Sequence, residues 1–416
     1  MIEWPRTERG LLILVAALLV LTMTALGSTH AQSSPITYSD TQAYTFGQQA
    51  TFSIQAASAN DITAIYLYLQ SEGDAAAVSL PVSIEPGPEV QATVQRDLRL
   101  SPFPPFGMVS WWWEIRDTEG TVLRTDPKLF RYTDNRFEWQ ATTDGRVTLH
   151  TAVDNPQYIQ TALEVIQTSL RRVESELQAE PLAQVDLYLY PSTEDLRAAL
   201  EMAGRNWAGG QARPELGVIL VAVPENDRAL SRTERDIPHE LTHLIVYSVT
   251  GSEGYRHVPA WLDEGLATAN ELRPDPTLEV VLDQARAEGQ LLPLTALCPP
   301  FPASQEAALL AYAQSASMVR TIRDRYGNAG IRDLLIAYAD GAGCESGIEH
   351  GLGITAHQFE RTWRADLVGL SGWMSWLSDN AAPLLLWGIG LILALSVAAL
   401  FRYQSSRRSH LDAHKG

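Results

Sequence analysis

The feature that most limits the fold is a change of period near residue 150. From Ile36 to about Trp139, stretches such as "TFSIQA", "AIYLYLQ", "VQATVQRDL", "VSWWWEIRD" and "KLFRYTD" alternate apolar and polar residues. That is the two-residue period of a strand with one buried face. "SEGD", "EPGP" and "DTEG" punctuate them as turns. Past "DGRVTLH" the period becomes helical: in "PQYIQTALEVIQTSLRRVESEL" Ile159, Leu163, Ile166 and Leu170 share one stripe. "VDLYLY" and "LGVILVAV" then read as strands, and Ser192 as the N-cap of "STEDLRAALEMAG". One layer cannot serve both patterns, so an all-β unit followed by an α+β unit is expected. The chain, at 416 residues, also exceeds the usual size of one core. Short strands at this spacing point to an immunoglobulin- or fibronectin-like sandwich over residues 32–140. In "WWWEI", Trp111 and Trp113 fall on one face and Trp112 on the other.

Two apolar runs bracket these units. "LLILVAALLVLTMTALG" follows Arg6 and Arg9, and the "STHAQ" after it places small residues at Thr29 and Ala31. It reads as a secretory signal over residues 1–31, with an uncleaved anchor as the alternative. "AAPLLLWGIGLILALSVAALF" would span roughly 30 Å as a helix, the thickness of a bilayer core. Arg402, Arg407 and Arg408 follow it and assign the tail, residues 402–416, to the cytoplasmic side. The expectation is a single C-terminal transmembrane helix over residues 381–401, a cell-membrane location, and an extracellular chain between the two runs. In that oxidising setting Cys298 and Cys344 are expected to pair, two buried free thiols being the other reading. The net charge of -18 argues against nucleic acid as a partner.

"PHELTHLIVYSVTG" carries the chemistry. His239 and His243 stand at i and i+4, so both face one side of a helix, at a separation that suits two ligands on one zinc. Glu240 is next to His239 and can reach a water on that metal as a general base. Two histidines satisfied in a core are the plain alternative. Zinc needs a third protein ligand. A glycine and a histidine, three and six residues after His243, would complete one known pattern, but Val246 and Val249 stand there. Gly251 ends the helix, and Pro259 opens a second one, "PAWLDEGLATANE", whose Gly265, Ala267 and Ala269 permit close approach. Glu264 on that helix, its neighbour Asp263, and His257 in the intervening loop are the candidates. Pro238 fits either the first turn of the helix after an Asp236 cap, or a kink in a longer helix starting near Ser231.

"HELTH" followed by "PAWLDEGLA" resembles the gluzincin metallopeptidases of the MA clan, in particular the "peptidase MA-like" membrane proteins. The resemblance covers roughly Val147 to Leu370 and implies a zincin-like peptidase domain, set at residues 141–372, with one Zn2+ per chain and a peptide or protein substrate. It implies Glu264 as the third ligand and Glu271 as support for the ligand shell, though Glu271 also reads as a charge at a helix end. "YAQSASMVRTIRDRYG" resembles a helix of the M1-type members in which the tyrosine steadies the oxyanion, a role that would fall to Tyr312; Gln314 and Ser315 depart from the Lys-Gly pair found there. Tyr312 also reads as a core aromatic. In this clan an extended substrate lies along the strand before the HExxH helix, and Gly209 and Gly210 would let a peptide backbone approach. The chain lacks the G-x-M-E-N motif that holds a free N-terminus, which leans toward endopeptidase action. The rival reading is a vestigial zincin serving as a surface binding or scaffolding protein.

Overall fold

The computed structural model describes residues 36–201, 210–222, 229–302 and 305–367, with 380, 381, 383–387, 389, 391 and 395–397. The expected signal (1–31), the basic tail (402–416) and Gly209 lie outside the described residues. The chain divides into two compact units between Arg136 and Phe137.

The first unit holds β1 (Thr37–Thr45), β2 (Gln49–Ser71), β3 (Val78–Val82), β4 (Gly87–Asp97), β5 (Met108–Asp117), β6 (Val122–Arg124) and β7 (Lys128–Arg131). "TFSIQA" and "AIYLYLQ" are not separate strands but the two halves of β2. The first half pairs with β1 and β4, and the second with β5 and β3. The register shifts between Ala57 and Ile62, where the strand turns from one set of partners to the other. The two expected sheets are therefore one seven-stranded hydrogen-bonded sheet, joined through β2. Phe52 and Ile54 in one half, and Ile65, Leu67 and Leu69 in the other, are buried with Trp111 and Trp113. Trp112, on the opposite face, is only 7% exposed. Tyr68 stacks on it with ring centroids 5.3 Å apart, and the Arg124 guanidinium covers it at 5.0 Å.

The second unit begins with β8 (Gln140–Asp144), β9 (Val147–Thr151), α1 (Pro156–Leu177), β10 (Val185–Tyr190), α2 (Thr193–Glu201), β11 (Gly210–Arg213) and β12 (Val218–Ala222). The five-stranded sheet runs β11-β12-β10-β9-β8. Its middle pairs are parallel and its outer pairs antiparallel, which leaves β11 as a short edge strand. β12 is buried along its whole length, as its unbroken apolar "VILVA" requires. α1 starts at Asn155, whose side chain accepts from the N–H of Tyr158, and Pro156 fills the first helical position. Leu163, Ile166 and Leu170 enter the core as their stripe implies.

The helices that follow among the described residues up to 367 are α3 (Ala229–Tyr255), α4 (Ala260–Ala269), α5 (Pro276–Glu288), α6 (Gln305–Ala339), α7 (Cys344–Leu352) and α8 (Ala356–Leu367). Pro238 lies well inside α3, which settles its place as mid-helix. Gly251 breaks the helical path of α3 at φ 71° before its last turn, and Gly327 does the same in α6 at φ 65°. Gly265 of α4 faces α6, not α3. A Cβ there would lie 2.8 Å from the carbonyl oxygen of Ser315. Cys298 and Cys344 form a disulfide that ties the segment before α6 to the start of α7.

The expected fold needs one further correction. Among the described residues no helix is long and apolar enough to cross a membrane. The transmembrane helix expected over residues 381–401 is therefore not among the described elements.

Candidate metal centre

His239 and His243 project from one side of α3 with ring centroids 5.2 Å apart. α4 brings Glu264 to the same place. Its Oε2 is 3.3 Å from Nε2 of His239 and 3.7 Å from Nε2 of His243. One ligand atom from each of the three residues lies within 4.8 Å of the others. α4 is held for this at both ends of its first half. Pro259 enters it in extended conformation, the Ala260 N–H donates to the Cys298 carbonyl at 3.0 Å, and Gly265 lets it lie against α6.

The outer ring nitrogens meet carboxylates. Glu271 Oε1 is 3.2 Å from Nδ1 of His239, and Asp263 Oδ1 is 3.0 Å from Nδ1 of His243. Tyr255 in turn donates its hydroxyl to Oδ2 of Asp263 at 2.8 Å. Asp263 precedes Glu264 by one residue, so it leaves α4 about 100° away. That angle, which keeps it off the Nε2 side, carries it to the far nitrogen of His243. Two imidazole nitrogens and a carboxylate oxygen converge, and each ring is backed by an acid. This donor set fits zinc, whose histidine ligands characteristically give their second nitrogen to a carboxylate.

The same geometry shows in the proton affinities of the two rings. Burial disfavours the charged form of His243, but the charge of Asp263 and then of Glu264 outweighs it and raises the ring to about 9. Burial likewise opposes protonation of His239, and its contacts with Glu264 and Glu271 raise it well above the usual value.

Glu240 lies on the same turn, 8% exposed, and burial raises its carboxyl. β11 runs directly against it: a Cβ on Gly210 would stand 2.8 Å from Glu240 Oε1. Gly210 is thus needed for a reason its sequence neighbourhood did not show. Tyr312 comes in from α6, its ring centroid 6.2 Å from that of His239 and its hydroxyl hydrogen-bonded to Glu264. Burial and the nearby carboxylates raise that phenol. Phe301 packs edge-on against it at 5.2 Å. The residues that replace the Lys-Gly pair have structural partners. Gln314 is fully buried, accepts from the Leu292 N–H at 2.8 Å and donates to the Leu292 carbonyl at 3.1 Å. The Ser315 carbonyl is the surface that Gly265 meets. His257 is exposed in the turn between α3 and α4.

From the sequence Asp263 reads only as a candidate ligand, and Tyr255 is not marked as part of the site. The signal for Asp263 was its position one residue before Glu264; "SEGYRHV" offered none for Tyr255.

No curated protein matches the chain. Among solved structures, OgpA from Akkermansia muciniphila is similar at 15% identity over 25% of this chain and 29% of that one, with a TM-score of 0.21. An aminopeptidase N family protein from Idiomarina loihiensis is similar at 10% identity over 76% of this chain and 73% of that one, with a TM-score of 0.36. The chain spans 29% of the length of OgpA, and both likenesses are too slight to carry an argument. Residues 165–369 match the model of the Peptidase MA superfamily. That span takes in α3, α4, α6 and every residue of the site.

Proposed function

We propose that the chain is a zinc-dependent peptidase acting outside the cytoplasm, on internal bonds of peptides or proteins. The observation that carries this reading is the convergence of His239, His243 and Glu264, with Glu240 buried on the same helical turn. His239, His243 and Glu264 would hold one zinc ion, which when bound supplies an acidified water and polarises a carbonyl. Glu240 takes the proton of the attacking water and passes it to the leaving amine; a carboxyl raised by burial is the better base near neutral pH. Tyr312 donates its hydroxyl to the substrate oxygen as that oxygen gains charge. β11 offers an edge for an extended peptide, beside Glu240. The absence of a G-x-M-E-N motif favours internal bonds over N-terminal ones. The disulfide supports an oxidising compartment.

The test replaces Glu240 with Gln in the purified protein and follows cleavage of a peptide library, with and without chelator. Zinc content should remain at one per chain and cleavage should fall by about 100-fold or more, the usual share of a general base. Undiminished cleavage by the variant, or cleavage indifferent to chelator, would overturn the reading.

A further inference from the structure

Pro238 stands inside α3, where proline has no N–H to give and its ring crowds the carbonyl four residues earlier. That carbonyl belongs to Glu234. In an unbroken helix the N–H of residue 238 would engage it. Here it accepts instead from the N–H of Leu272 at 2.9 Å and of Arg273 at 3.3 Å. Side chains join the same two segments. Arg273 Nη1 is 3.5 Å from Glu234 Oε2, and Arg235 Nη1 donates to Asp275 Oδ2 at 3.2 Å. The link between α4 and α5 is therefore docked on the first half of α3. Glu271 immediately precedes the first docked amide, and its Oε1 lies 3.2 Å from Nδ1 of His239, the residue after Pro238.

We infer that Pro238 is a positioning residue for the metal centre. By releasing the Glu234 carbonyl to Leu272 and Arg273, it clamps the segment that holds Glu271 against His239. Glu271 then fixes the orientation of the ring whose Nε2 faces Glu264. Proline is the least favourable residue for a helix interior, and the amides from the link compensate the carbonyl it strands. Alanine at 238 would restore an N–H in competition for that carbonyl. It would leave the helix sound and loosen the clamp. The inference rests on the zinc reading of the site.

The experiment measures zinc affinity of the full chain by competition with a chromophoric chelator, together with hydrogen exchange at the Leu272 amide. Three variants are compared with wild type: Pro238→Ala, Glu271→Gln and the double variant. Pro238→Ala should weaken zinc by about 10- to 100-fold, the range for partners of metal ligands, without lowering the melting temperature of the metal-free protein. The double variant should bind no more weakly than Glu271→Gln alone, because both changes remove one contact. The Leu272 amide should be protected in wild type and exchange faster in Pro238→Ala. Wild-type zinc affinity in Pro238→Ala, additive losses in the double variant, or an unprotected Leu272 amide in wild type would each overturn the clamp. The wild-type amide decides even if Pro238→Ala does not fold. A wild type that binds no zinc overturns the metal reading instead, and the clamp is then judged by the Leu272 exchange comparison.

Discussion

Gly210 and Glu240 meet where no side chain fits: a Cβ on Gly210 would lie 2.8 Å from both Cγ and Oε1 of Glu240. The edge strand and the candidate base are thus placed against each other by an absent methyl group. Gly210→Ala must push the carboxylate aside or move β11. Displacing a reacting group by about 1 Å can cost roughly 100-fold in rate. The expected outcome is a fall in kcat of that order, with zinc content unchanged. Steady-state kinetics and metal analysis on the same preparation check it.

Gly265 does for the ligand helix what Gly210 does for the edge strand. A Cβ there would meet the Ser315 carbonyl oxygen at 2.8 Å, its carbon at 2.9 Å and Val319 Cγ2 at 3.0 Å. Two of these atoms are backbone and cannot swing away. Gly265→Ala should lower stability by about 1–3 kcal/mol, the usual penalty of overpacking, and weaken zinc because Glu264 is the adjacent residue. Denaturant melts and a chelator titration read the two effects.

Acid and base should act in opposite ways on the metal-free and metal-loaded protein. The folded His243 ring is raised to about 9, against about 6.5 for a free imidazole. A raised folded value means stability fully present below about pH 6.5 and lost as the pH climbs to about 9. His239 is shifted in the same direction. Zinc requires both rings neutral, so its apparent affinity should rise over the same window. Melting temperatures of chelator-treated protein should fall between pH 6.5 and 9. A flat profile would count against the ion-paired histidines.

The disulfide should support the site at a distance. Cys298 and Cys344 close a loop with a sequence separation of 46, which the loop-entropy relation values at about 4 kcal/mol. The Cys298 carbonyl also receives the first N–H of α4 at 3.0 Å. Reduction, or Cys298→Ser with Cys344→Ser, is expected to lower the denaturation midpoint and to weaken zinc binding. Parallel melts with and without reductant, repeated on the double variant, separate loss of the bond from any effect of the reductant itself.

Much of the site was legible because it lies within one helical turn. The i, i+4 spacing of His239 and His243 places both rings on one face whatever surrounds them. Glu264 was legible through the company it keeps, "PAWLDEG" after "HELTH". Glu271 was legible only as one of two readings, and its contact with His239 depends on a docked link that no local pattern announces. Asp263 reads from the sequence only as a candidate ligand, and its approach to Nδ1 of His243 depends on how α4 lies against α3. The β unit shows the same limit. Period-two alternation marked both halves of β2, but not that one strand would run through them and merge two sheets into one.

The sequence by itself determined the periods, the two-histidine turn and the acids available to it, because these follow from 3.6 residues per helical turn and two per strand repeat. Only the tertiary structure decided which acid meets which nitrogen, why residue 210 is glycine, and what the proline at 238 releases. Those answers depend on how α4, α6 and β11 lie against α3. Such packing is set by contacts between residues far apart in the chain, which spacing does not encode.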